Sequence, residues 1–219
     1  PNTGGASLLT LTASNYAVST TTNVTVIATA GLIRHTQTIA LTVNGIAQPN
    51  TAPTLAPIAD QTVNVGQTVA FTASATDTDT PPQTLTFVLL VGATNAALNA
   101  KTGAFSFRPL VMQADSINDF TLKVSDNGSP SMSATQSFSV FVNSVSSPSI
   151  SNISIAGGQF SINVHGQTGP DYAIETSTNL TQWSGVFTTN SPAMPFVWTD
   201  TNSSVPQRFY RVKLGPPLP

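Results

Sequence analysis

Apolar side chains recur at every second position in short runs along this chain, and that spacing points to strands throughout. In Gln67-Thr-Val-Ala-Phe-Thr-Ala-Ser-Ala75, Val69, Phe71, Ala73 and Ala75 fall on one face, with Thr68, Thr72 and Ser74 on the other. Period-2 alternation of this kind marks a half-buried strand. It returns in Leu85-Phe87-Leu89, Phe105-Phe107, Phe120-Leu122-Val124 and Phe138-Val140-Val142, with a further short strand expected at 55–58. Turn-forming clusters separate the runs: 77–82, Lys101-Thr102-Gly103, and Asp126-Asn127-Gly128-Ser129-Pro130. About seven short strands in ~100 residues is what a β-sandwich requires. No window sustains a 3.6-residue apolar period, so the expected fold class is all-β with almost no helix.

Composition narrows the function classes. Charged residues are 7% of the chain, against roughly 25% in an ordinary globular protein. The net charge of −2 gives no reason to expect nucleic acid or an anionic membrane as partner. There is no cysteine, which excludes disulfides, thiolate metal sites and cysteine nucleophiles. No apolar run approaches the ~18 residues of a membrane span. No secretory leader opens at Pro1, and the sequence reads as part of a longer chain. A surface of Thr, Ser, Asn and Gln with few tryptic sites suits an extracellular or cell-surface location.

Three modules are expected, over 1–46, 50–144 and 149–215. The first offers strand candidates at 7–13, 23–30 and 34–43, with a hairpin signal at Ala30-Gly31-Leu32. Three strands leave open edges and half a core. Gly5-Ala-Ser-Leu-Leu-Thr-Leu-Thr-Ala13, Thr25-Val-Ile-Ala-Thr-Ala-Gly31 and His35-Thr-Gln-Thr-Ile-Ala-Leu-Thr-Val43 resemble the C-terminal half of an immunoglobulin-like repeat of large secreted bacterial proteins. The resemblance implies an incomplete first sandwich, completed by upstream sequence or by strands from another chain. In the second case Leu8, Leu9 and Leu11 would line the acceptor core.

The second module carries Asn50-Thr-Ala-Pro53, Asn64-Val-Gly-Gln67, Ala75-Thr-Asp-Thr-Asp79, Thr102-Gly-Ala-Phe-Ser-Phe107 and Val124-Ser-Asp-Asn-Gly-Ser-Pro130. These resemble the cadherin-like, dystroglycan-type immunoglobulin domains of bacterial surface proteins, although Phe120 stands where that family often has Tyr. After a Ser/Pro linker at 145–149, the third module has strand candidates at 150–155, 159–164, 172–176, 185–189, 196–200 and 208–213, with Gly157-Gly158 as a hairpin turn. Its stretches Asp171-Tyr-Ala-Ile-Glu-Thr-Ser-Thr-Asn-Leu-Thr-Gln-Trp183 and Gln207-Arg-Phe-Tyr-Arg-Val212 resemble a small fibronectin-like module at the C-termini of verrucomicrobial-type secreted proteins.

The cadherin-like resemblance implies calcium as the one cofactor, held by Asp77, Asp79 and Asp126 with Asn50 from the linker and Asn127 as a helper. Two carboxylates of a D-x-D turn can project to one side, and Ca²⁺ takes six to eight oxygens. Yet residues 1–59 contain no Asp or Glu, and the alternative is that these Asp residues cap turns. Trp183, Trp198, Tyr172 and Tyr210 could form a platform for sugar rings, but a ~65-residue module needs large residues inside, which favours core. His35 and His165 lie in no metal-ligand spacing and read as exposed strand residues. No Ser sits in G-x-S-x-G, and Asp115, Asp119, Asp171 and Glu175 read as solvated. The five N-x-S/T sequons, at Asn23, Asn127, Asn152, Asn179 and Asn202, read as chance in so Thr- and Ser-rich a sequence.

No catalytic site is expected. The function expected is that of a non-catalytic extracellular structural or adhesive chain, the C-terminal part of a stalk or fibre, self-associating or bound to other surface proteins. The alternative is a polysaccharide-binding accessory region of a larger secreted enzyme.

Overall fold

The computed structural model describes residues 8–13, 19–45, 49–201 and 207–219. They form strands throughout, with one three-residue 3₁₀ turn, Val111–Gln113, as the helical element among them. The chain divides into two compact units. One comprises 1–50 with 79–81, and the other the remainder.

In the first unit, β1 (Thr20–Ala30) and β2 (Ile33–Val43) pair antiparallel in a continuous register from Thr20↔Val43 to Ala30↔Ile33. The turn is the one Ala30-Gly31-Leu32 predicts, with Gly31 at φ +61°, where glycine costs least. Residues directly opposite share a face. Val24, Val26, Ala28, Ala30, Ile33, Ile39, Leu41 and Val43 therefore lie on one side, and the Thr-rich set with Arg34 on the other. The apolar side is largely exposed, with Val26 at 37%, Ile39 at 51% and Ile33 at 74%. Residues 8–13 lie outside any strand, which corrects the strand expected at 7–13 over its described part; Leu8, Leu9 and Leu11 are exposed. Residues 1–7, part of the first resemblance, fall outside the described residues.

The second unit begins with β3 (Thr54–Leu55), β4 (Gln61–Val63), β5 (Val69–Thr72), β6 (Ala75–Thr76), β7 (Thr86–Val91), β8 (Ala96–Leu98), β9 (Ala104–Phe107), β10 (Ser116–Ser125) and β11 (Ser133–Val142). They assemble as sheets of order β4-β11-β10-β7 and β5-β9-β8, with a short β3-β6 pair. The single strand expected over 67–75 is two, because the chain changes sheets at Ala73. There β5 leaves its partner β9, Ala73 N–H bonds Gly103 O, and β6 pairs with β3. The expected face is nevertheless the inward one, with Val69 and Ala73 buried and Phe71 and Ala75 packed on the core. Phe105, Phe107, Phe120 and Phe138 fill the centre at centroid separations of 5.1–5.3 Å.

Six strands follow: β12 (Ser149–Ala156), β13 (Gln159–His165), β14 (Asp171–Ser177), β15 (Ser184–Thr189), β16 (Phe196–Asp200) and β17 (Phe209–Gly215). They match the expected runs to within two residues and form sheets β12-β13-β16 and β15-β14-β17. Ile162, Val164, Tyr172 and Ile174 are the buried centre, with Phe160, Phe187, Phe196, Trp198 and Tyr210 packed against it.

Candidate functional site

The most closely built polar site lies where 61–70 and 108–111 meet 167–171, 191 and 216. Sequence reasoning missed it, because its partners are up to about a hundred residues apart. Gly66 and Gly169 let the two backbones touch. A Cβ on Gly66 (φ +77°) would stand 2.4 Å from Gly169 O, and one on Gly169 (φ +121°) 2.9 Å from Val65 O.

Around that contact Arg108 acts as a pin. Its Nε donates to Gly66 O at 2.7 Å, and its Nη2 to Asp171 Oδ1 at 2.6 Å. Asp171 is buried, so its carboxylate needs donors: Arg108 Nη2 supplies one bond, and Ser191 N–H adds a second at 3.0 Å. Ser191 Oγ donates to Gly169 O, Asn64 Nδ2 to Thr168 O, and Val111 N–H to Pro216 O. Asp171 was expected to be solvated; it is instead the anchor of a module junction.

Glu175 is the second such correction. It alternates with core Ile174 and lies on the outer sheet face, yet is only 4% exposed. Arg211 Nε donates to it at 2.5 Å, and Lys213 lies 3.5 Å from its other oxygen. The Arg211 guanidinium also covers the Trp183 ring, 4.3 Å from its centroid, while Trp183 Nε1 donates to Leu180 O. Trp183 is thus a half-buried outer-face residue with one ring face occupied. Tyr172, Trp198 and Tyr210 pack in or against the core, as burial energetics favoured. The four aromatics do not form one platform.

Asp200 accepts bonds from Arg208 and from the Tyr210 hydroxyl, the latter at 2.7 Å. Burial, and then the bond to Asp200, push the Tyr210 phenol up to about 12 from an ordinary 10.0. The folded state therefore holds the proton more tightly than the unfolded chain. The resulting stability is complete below pH 10 and is lost as pH rises through about 12. Ultraviolet titration should show a tyrosinate step near pH 12 that coincides with unfolding and is absent in Tyr210→Phe.

The residues expected to hold calcium stand as follows in the fold. Asp126 is buried, and its Oδ1 accepts N–H bonds from Gly128 at 3.0 Å and Met132 at 2.9 Å, which fastens the loop between β10 and β11. Asn127 Oδ1 accepts from Thr84 N–H. Asp77 and Asp79 are half-buried, as is Asn50. Among the described residues, no three His, Asp or Glu side chains gather as a metal cluster. The turn-capping role is the one Asp126 visibly performs. Asp119 accepts a bond from Ser139 Oγ, and Asp115 takes a left-handed backbone at φ 55°. His165 is exposed, as expected, but is bonded to Ser151 Oγ.

Among the described residues no helix is long and apolar enough to cross a membrane. No family model matches the chain, and no curated protein matches it. Solved structures with similarity include the protocadherin GammaB4 extracellular domain, at 19% identity and TM-score 0.37 over 63% of this chain. Mouse cadherin-23 EC22-24 matches at 17% and 0.39 over 74%, and an endo-fucoidan hydrolase of glycoside hydrolase family 107 at 11% and 0.35 over 68%. The chain spans 24%, 61% and 32% of those three chains respectively. At such TM-scores these likenesses place no residue and assign no role.

Proposed function

We propose that this chain is a non-catalytic structural or adhesive component of an extracellular assembly, in which a neighbouring chain completes the β1–β2 hairpin. The observation that carries this reading is the hairpin's segregation into a Thr-rich face and an exposed apolar face. Isolated two-stranded hairpins are marginal in water, and long apolar edges recruit further strands. Low charge supports the same reading, since it weakens the repulsion that keeps subunits apart. The junction at Arg108 supports a mechanical role, because it fixes two sandwiches against one another.

Sedimentation velocity across a concentration series, combined with hydrogen exchange, tests the proposal. Self-association is expected, with amide protection of 20–43 rising in step. Ile39→Asp on the apolar face should abolish it, while Thr38→Asp on the opposite face should not. A monomer at all concentrations with 20–43 unprotected would sink the reading. Asp126 is assigned to its loop in this proposal, so assembly should be equal in calcium and in chelator; disassembly by chelator would return Asp77, Asp79, Asp126 and Asn50 to the role of ligands.

A further inference from the structure

We propose that Ser151 is a histidine-activated nucleophile that accepts an acyl group from activated carboxylic esters. This goes beyond the structural role above and stands on separate observations. Strands β12 and β13 pair with Ser149 opposite His165 and Ser151 opposite Asn163. Ile150 pairs with fully buried Val164 on the core side, so Ser151 and His165 share the outer face. His165 reaches diagonally along that face, and its Nε2 lies 2.8 Å from Ser151 Oγ, the reach a general base needs. His165 is exposed and Ser151 half-buried, so a small ester can approach both.

The backbone departs from regular pairing at the same place. The register steps from Ser151↔Asn163 to Ser154↔Ser161, so Asn152 and Ile153 together face Ile162 in a one-residue bulge, with Asn152 at φ 48°. A bulge leaves its extra residue outside the ladder and re-aims neighbouring side chains. It places the break in the ladder directly beside Ser151, where a backbone N–H outside the ladder would steady a developing oxyanion.

The step is an acyl transfer. Ser151 Oγ bonds to the ester carbonyl carbon, its proton passes to Nε2 of the Nδ1–H tautomer of His165, and the carbon–alkoxide bond breaks. The leaving group then takes that proton. Among the described residues no carboxylate bonds to His165, so the expected product is an acylated protein formed once rather than rapid turnover. Ser161 provides an internal comparison. It lies on the same face of β13, but its Oγ meets the Thr199 hydroxyl at 2.8 Å, with no base.

The test incubates the full chain with p-nitrophenyl acetate in mildly alkaline buffer and maps acetyl groups by peptide mass spectrometry. Ser151 should be acetylated ~10²-fold faster than Ser161, the contribution of one positioned general base. Ser151→Ala should remove the stoichiometric burst of p-nitrophenolate. His165→Gln should bring labelling at Ser151 down to the Ser161 level, and imidazole in the buffer should restore part of it in His165→Ala. A hydrogen bond that serves only to join two strands would not respond to imidazole. Equal labelling of Ser151 and Ser161, or labelling of Ser151 that survives His165→Gln, would overturn the proposal.

Discussion

Gly66→Ala is expected to split the thermal unfolding of the second unit into two transitions. The alanine would take a left-handed backbone at φ +77° and put its methyl 2.4 Å from Gly169 O, a distance at which the backbone must move. Gly169 O cannot yield alone, because Ser191 Oγ is bonded to it, and Gly66 O is held by Arg108 Nε. Separating the backbones therefore also breaks the Arg108 pin and exposes the Asp171 carboxylate. Calorimetry reads the result directly: one cooperative transition in the parent, two in the variant. Arg108→Ala is the gentler form. Its side chain is 36% exposed, so the ion pair is partly screened, and Asp171 keeps the Ser191 N–H bond. A loss of about 1–2 kcal/mol is expected. Unchanged cooperativity in both variants would mean that the modules merely touch.

The second large effect is expected from Phe120→Ala, about 3–5 kcal/mol by urea denaturation. Phe120 is fully buried, stacked on Phe138 at 5.2 Å and set edge-on to Phe105 at 5.2 Å. Its ring also closes over Gly92, where a Cβ would lie 2.7 Å from Phe120 Cδ1. Rings this interlocked relax little when one is removed, so most of the vacated volume should remain as cavity. A loss below about 2 kcal/mol would show that the aromatic centre collapses more freely than its packing suggests.

Neither effect depends on knowing what the chain binds. Both test whether the second unit is a fastened whole, which a mechanical role requires. If Gly66→Ala uncouples the modules while leaving assembly through β1–β2 intact, the two properties are independent. If assembly fails as well, the junction transmits to the hairpin, and the proposed role must be redrawn around it.

Much of the architecture was legible because alternation is a local signal. The run from Gln159 to Val164 could only half-bury itself as a strand, and it is β13 with one residue more. The Gly31 turn was equally local. The short strands β4 and β8, of three residues each, carried too little pattern to be read. The break at Ala73 was invisible for another reason: alternation reports which face is buried, not which sheet the backbone is bonded to.

The all-β class, the positions of the turns and the apolar face of each longer strand follow from side-chain periodicity along a few residues, so they can be read locally. What the few charges do is settled by contacts that folding makes. Asp171 and Glu175 read as ordinary surface acids until folding placed Arg108 and Arg211 against them from distant segments. The physical reason is that a carboxylate is tolerated in a buried position only when a partner meets it there. Which partner arrives depends on strand register and on two glycines that let backbones touch, and local sequence records neither.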